Sequence, residues 1–316
     1  MSESRARGPS KPTVANSANS PNRTGQASAG SIRAWISALA LPMTAVVLLQ
    51  AAFALSVARH LGTLSPPRAL LTLALFIPES ISRRLINDYD DYRSGVDRPG
   101  NARPGSALDL GLPMERVRLV GLSCFAVSTA GFSYLLYTTS PLSVLVIPLA
   151  FATLLYSGGP SPIGHRALGE VMDFLLTGCF VVGVVIWVNV EQLTAPVWLS
   201  AAAAGFLFVV IMFHNNLRDT GGDLAAGKRT IAQRMSPRTA KTAYVLFLAA
   251  PYLCMALVAR ELDALAPAAP LITLPYAIWI MVAVARSRLG ATMPSWLHMP
   301  RLLASFFALF ALAEWI

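Results

Sequence analysis

Asn87-Asp88-Tyr89-Asp90-Asp91, with Gly95 and Asp97 just beyond, closes an apolar run that begins at Ala69. The chain holds 16 acidic residues, and four of them fall between positions 88 and 97. Carboxylates at the end of a membrane helix are expensive to keep there and therefore point to function. Crowded together, they repel one another unless a divalent cation neutralises them. Hard oxygen donors in this grouping suit Mg²⁺, which commonly links one or two carboxylates to a substrate phosphate.

Outward from that stretch, composition sets the solvent. The chain is 55% hydrophobic and 13% charged, with a mean hydropathy of +0.56. A soluble domain carries about 25% charged residues, so an all-α, multi-pass membrane protein is expected. The net charge of +9 lies largely between apolar segments, where it reads as membrane orientation rather than nucleic-acid binding. Cys124, Cys179 and Cys254 are isolated in apolar runs and form neither a metal spacing nor a disulfide framework. Residues 1–30 are polar and basic, without the apolar core of a signal peptide, and are expected to form a disordered cytoplasmic tail. Positions 31–316 are then the membrane domain.

Nine apolar segments near the length of a bilayer crossing are expected, at about 33–58, 67–87, 116–137, 140–156, 168–189, 195–215, 240–259, 267–286 and 298–316. With the N-terminus inside, the even-numbered connections are cytoplasmic and should be basic. The second carries Arg93, Arg98, Arg103, Arg116 and Arg118, and the sixth carries Arg218, Lys228, Arg229, Arg234, Arg238 and Lys241. Only the first connection, with Arg59 and Arg68, runs against the pattern. Both large polar connections therefore belong to one membrane face.

The sixth connection opens His214-Asn215-Asn216-Leu217-Arg218-Asp219, followed by Asp223 and Gly227-Lys228-Arg229-Thr230. Asp219 and Asp223 are four apart, as are Asn87 and Asp91, and Asn215 and Asp219, so each pair shares a helix face. Two amide-and-carboxylate ladders at equivalent depth suit a diphosphate held between two Mg²⁺ ions. Arg and Lys are suited to the remaining phosphate oxygens. Neutralising a leaving diphosphate lowers the barrier to breaking its bond to carbon. No Gly-rich run precedes a Lys-Ser or Lys-Thr pair, which opposes a nucleotide hydrolase. The scattered histidines give no nucleophile motif, though His214 and Asp173 are candidate bases.

These stretches resemble the UbiA superfamily of intramembrane prenyltransferases, through Asn87, Asp88 and Asp91 and through Asp219 and Asp223. The runs Ser94-Gly95-Val96-Asp97, Tyr156-Ser157-Gly158-Gly159-Pro160 with Leu168-Gly169-Glu170, and Ala226-Gly227-Lys228-Arg229-Thr230 are most similar to the 1,4-dihydroxy-2-naphthoate polyprenyltransferases of menaquinone synthesis. The resemblance implies a nine-helix bundle around a central cavity, capped by polar loops on the cytoplasmic side, in a bacterial cell membrane. It implies Asn87, Asp88, Asp91, Asp219 and Asp223 as catalytic, the four aspartates among them as Mg²⁺ ligands. Tyr89, Asp97, Arg103, Tyr156, Asn215, Asn216, Arg218 and Lys228 would contact an isoprenoid diphosphate, whose prenyl group passes to a small aromatic acceptor, and Arg84, on the face of Asn87, is a further candidate for its phosphate or for pairing with Asp88.

The chain departs from that pattern at particular places. Ala102-Arg103-Pro104-Gly105-Ser106 stands where the naphthoate branch carries Gly-Pro-x-Arg, and Leu41-Pro42-Met43-Thr44 lacks an expected Arg. Arg83 and Arg84 precede Asn87 where neutral residues are usual, and Asp173 follows Glu170. All of these fall where the acceptor or the cation is handled. Cyclisation of a farnesyl or geranylgeranyl diphosphate without an acceptor therefore stands as an alternative. A transporter is the third reading, opposed by an expected absence of charge in mid-helix.

Overall fold

The computed structural model describes residues 31–39, 41–100, 102–141, 143, 147–148, 168–218, 220, 229–289, 293–295 and 297–314. Among them there is no β-strand. Helices α1 (Ile32–Ala38) and α2 (Leu41–Leu61) replace the single first segment expected from the sequence. Pro42 lies in the first turn of α2, where a missing N–H breaks no intrahelical bond. Ser31 starts α1 by accepting the Ala34 N–H at 3.2 Å.

Helix α3 runs Pro66–Ser94, 29 residues, or about 43 Å at the rise of an α-helix. That exceeds a hydrocarbon core of ~30 Å, so a helix of this length has turns to spare beyond one crossing. Gly95 stops the helix at φ 77°, a left-handed conformation that favours a residue without Cβ. Then come α4 (Met114–Thr139), α5 (Gly169–Val190), α6 (Ala195–Arg218), α7 (Pro237–Glu261), α8 (Ala266–Arg286) and α9 (His298–Ala313). The expected segment at 140–156 lies almost wholly outside the described residues. Six helices, α2 and α4 to α8, are long and apolar enough to cross a bilayer, while α9 is apolar but shorter. The chain is an integral membrane protein.

Two close contacts fix the bundle around the site. Helix α5 widens into a π-helical stretch over Asp173–Phe180, and there Gly178 meets Gly205 of α6. A Cβ on Gly178 would sit 2.1 Å from the Gly205 Cα. Small residues permit this backbone approach, and in lipid such packing drives helix association. On the other side Phe53 of α2 packs on Phe306, Phe307 and Phe310 of α9, with ring centroids 5.2–6.5 Å apart.

The two arginines that oppose the charge pattern close helix ends. Arg68 donates to the carbonyls of Val188 and Leu135 and to Thr139 Oγ1, tying α3 to the last turns of α5 and α4. Arg59 donates to the Glu314 carbonyl at 2.7 Å, beside a His60–Glu314 contact of 2.6 Å. Cations suit helix C-termini, so these positions answer to local acceptors.

Candidate functional site

Helix α3 carries different chemistry on adjacent faces. Glu79, Arg83, Asn87 and Asp91 recur every four residues and form a stripe that winds slowly around it. Arg83 Nε lies 2.8 Å from Glu79 Oε1, and Asn87 Nδ2 donates to Asp91 Oδ2 at 3.0 Å. The expected absence of charge in mid-helix is thus incorrect. Glu79 follows Pro78 within the apolar run, and its four-residue spacing to Arg83 was the available signal.

Asp88 faces elsewhere. It is 1% exposed, and both its oxygens hold the loop that returns toward α4. Arg103 approaches Oδ1 at 2.5 Å, and the Ala107 N–H donates to Oδ2 at 2.8 Å. Arg84 Nε lies 3.5 Å from Oδ2, while its terminal nitrogen donates to the Gly105 carbonyl at 2.9 Å. Asp97 turns the other end of this loop, its N–H reaching the Asp91 carbonyl at 3.0 Å and its Oδ1 accepting the Arg103 N–H at 3.1 Å. Arg103 also stands 3.9 Å from Asp91 Oδ2. Arg84, Asp88, Asp91, Asp97 and Arg103 therefore come together as one network.

Tyr89 is not part of that network. Two residues past Asn87, it points to the opposite side, where its hydroxyl donates to Glu115 Oε1 at 3.2 Å. The Arg118 guanidinium lies 5.4 Å from its ring centre.

Asn215, Asn216 and Arg218 occupy the last turn of α6. Asn216 is buried and donates to Glu170 Oε1 at 2.8 Å, which joins the start of α5 to the end of α6. Tyr156, Asp219, Asp223 and Lys228 lie outside the described residues. His214 is fully buried, with Tyr244 Oη 3.1 Å from Nδ1 and the Pro294 carbonyl 3.2 Å from Nε2. Both ring nitrogens have structural partners, which disfavours it as a base. Asp173 accepts from Thr177 Oγ1 at 3.1 Å, and Arg83 reaches that hydroxyl at 3.5 Å.

Among the described residues no group of three His, Cys, Asp or Glu side chains converges to hold a metal. The Asn87 amide and the Asp91 carboxylate, hydrogen-bonded on one face, nevertheless supply hard oxygen donors of the kind Mg²⁺ takes. They fit the ion as part of a ligand set completed from elsewhere.

Beneath this network a cavity opens between α3, α4 and α5. Phe76, Phe125, Phe132 and Phe180 line it, and Glu79 and Arg83 are its charged members. This is the form of a small-molecule site, apolar walls with a few placed polar groups.

Comparison with known proteins places this geometry in context. A family model described as the UbiA prenyltransferase family matches residues 47–310. The 1,4-dihydroxy-2-naphthoate octaprenyltransferase of Escherichia coli (strain K12) is 26% identical over 204 residues, 62% of this chain and 66% of that protein. The protein of the same name from Mycobacterium tuberculosis is 29% identical over 214 residues, 62% of this chain and 71% of the relative. The matched stretch thus spans about two thirds of these relatives. Among solved structures, a UbiA homolog from Archaeoglobus fulgidus bound to GPP and Mg²⁺ has a TM-score of 0.62 at 18% identity, covering 89% of this chain and 98% of its own. The apo UbiA homolog from Aeropyrum pernix K1 has a TM-score of 0.66 at 15% identity, covering 86% and 96%. Both are alike in fold.

Proposed function

The chain belongs to the UbiA prenyltransferase family, and from that premise we propose that it ionises an allylic isoprenoid diphosphate within the membrane and transfers the prenyl group to a hydroxylated aromatic ring. The observation that carries this is the stripe on α3. It sets the hydrogen-bonded Asn87–Asp91 pair directly above a Phe-lined cavity, with Arg103 and Arg84 beside it. The proposed topology is nine spans with the N-terminus and the polar loops on the cytoplasmic side. The basic second and sixth connections support it.

In this reading Asn87 and Asp91, joined by Asp219 and Asp223, hold Mg²⁺, which when bound supplies the positive charge that makes diphosphate a better leaving group. Asp88 orders the loop that presents Arg103, with Arg84 anchored beside it. Asn215, Arg218 and Lys228 are the corresponding donors from the second stretch. The allylic C–O bond breaks with its electron pair leaving on the diphosphate. The apolar walls exclude water from the resulting cation, and aromatic faces stabilise it. A ring carbon of the acceptor then forms the new C–C bond, and the ring hydrogen departs as a proton.

The relatives' names support transfer to a hydroxylated aromatic acceptor over cyclisation. The test is diphosphate release from geranyl, farnesyl and geranylgeranyl diphosphates by purified protein, with and without Mg²⁺. Release that needs Mg²⁺ and is lost in Asp91→Ala and Asp219→Ala is expected. No release under any condition, or full activity in both variants, would sink the reading.

A further inference from the structure

The cavity beneath the diphosphate network has a charge arrangement that the transfer reaction leaves unexplained. Arg83 lies one turn, ~6 Å, below Asn87 on α3, and Glu79 one turn below that. Arg83 Nε already sits 2.8 Å from Glu79 Oε1, and its terminal nitrogen reaches Thr177 Oγ1 at 3.5 Å. Thr177 in turn donates to Asp173 Oδ1 at 3.1 Å. One guanidinium therefore faces two carboxyl groups, and both the other carboxyl oxygen of Glu79, Oε2, and Arg83 Nε are buried without a hydrogen-bond partner.

The hydroxyls around it do not serve this oxygen. Ser82, Ser128 and Ser133 donate to the carbonyls of Glu79, Phe125 and Thr129 at 2.7, 3.1 and 2.6 Å. A buried polar group left unpaired costs its full desolvation, so the site lacks a donor for Oε2 and an acceptor for Arg83 Nε, and one ligand hydroxyl can be both. A hydrocarbon tail offers none, and would set the Glu79–Arg83 pair against an apolar chain. A ring carboxylate could accept from Arg83 but has no proton for Oε2, and it would face the Glu79 and Asp173 carboxyl groups, where like charges repel in a low-dielectric site.

We propose that this cavity is the acceptor site and that it selects an uncharged hydroxyarene, a phenol or hydroquinone without a ring carboxylate. The acceptor's hydroxyl donates to Glu79 Oε2. Phe76 and Phe132, whose rings meet edge to face at 5.1 Å, form with Phe125 and Phe180 the walls against its ring. The inference rests on the prenyl-transfer reading for the word acceptor; the ligand chemistry follows from the cavity itself.

The test is equilibrium binding to the full chain in lipid nanodiscs, using two stable probes that differ only in the carboxylate, 1-naphthol and 1-hydroxy-2-naphthoate. Wild type should bind 1-naphthol at least about tenfold more tightly, since only the acid sets a like charge against the carboxyl groups. Glu79→Gln should weaken 1-naphthol by about tenfold and, by releasing Arg83, improve 1-hydroxy-2-naphthoate until the order reverses. Geranyl thiolodiphosphate with Mg²⁺ should bind both proteins equally and displace neither probe. Equal or tighter binding of the acid to wild type, an unchanged ratio in Glu79→Gln, or displacement of 1-naphthol by the donor analogue would each overturn the inference. If Glu79→Gln loses donor binding and so its fold, Thr129→Phe, which fills the cavity, decides instead. It should abolish 1-naphthol binding and keep donor affinity, and retained 1-naphthol binding would overturn the proposal. These readouts need no turnover, so failure to release diphosphate would reject the reaction without deciding the cavity's ligand.

Discussion

Replacing Asp88 by Ala should loosen the loop after α3 without touching the Asn87–Asp91 face. The side chain is 1% exposed and holds Arg103 at 2.5 Å, the Ala107 N–H at 2.8 Å and Arg84 Nε at 3.5 Å. Removing one partner of a wholly buried ion pair costs roughly 3–5 kcal/mol. Here Arg103 and Arg84 retain 44% and 27% side-chain exposure, so water relieves part of the loss. About 2–3 kcal/mol remains, chiefly from the Ala107 N–H and the partly buried guanidinium groups. If the loop opens locally, hydrogen exchange at Ala107 should accelerate by roughly 30- to 150-fold, at ~1.4 kcal/mol per tenfold. Asp88→Asn keeps an acceptor for Ala107 and should show a smaller acceleration. Asp91→Ala should leave Ala107 protected while abolishing Mg²⁺-dependent donor binding. Unchanged exchange in Asp88→Ala, or equal acceleration in Asp91→Ala, would refute the division of labour between the two aspartates.

Other positions give independent checks on the frame that carries the site. Gly178→Ala forces a Cβ against the Gly205 backbone and should destabilise the bundle by about 1–3 kcal/mol, seen as a lower thermal midpoint in detergent. Arg68→Met strips a donor from three acceptors at the ends of α4 and α5. A loss of about 2–3 kcal/mol should appear in the same measurement, with donor affinity unchanged. Asn216→Leu leaves the buried Glu170 carboxylate without its 2.8 Å partner. It should lower the midpoint and weaken donor binding together, since it frees the end of α6.

Much of the fold is legible because bilayer thickness sets helix length. The runs at 116–137, 195–215 and 240–259 correspond to α4, α6 and α7 within a few residues at each end. Gly95 marks the end of α3, for it alone among its neighbours takes φ of 77° without strain. The break between α1 and α2 is hidden, because Leu39 and Ala40 have no turn signature, and Pro42 suits a helix start as well as a kink. Arg59 and Arg68 read as misplaced charges until the carbonyls they meet are known. At the site, the four-residue spacing placed Asn87 and Asp91 on one helix face, where their side chains hydrogen-bond. The spacing could not show that Asp88 is engaged by Arg103 and Ala107, since those partners lie 15 and 19 residues further along the chain. Nor could it join Arg83 to Thr177 across 94 residues, the contact that turns Glu79 from an isolated acid into one wall of a cavity.

The central claim is that the prenyl cation formed at this site is captured by a second molecule. Its most direct test follows a C1-labelled prenyl diphosphate through a single turnover with Mg²⁺ and a hydroxylated aromatic acceptor. The account predicts that the label appears in a prenylated ring, in proportion to diphosphate released and absent in Asp91→Ala. Label recovered in a cyclic hydrocarbon, at the same yield whether or not the acceptor is present, would contradict it.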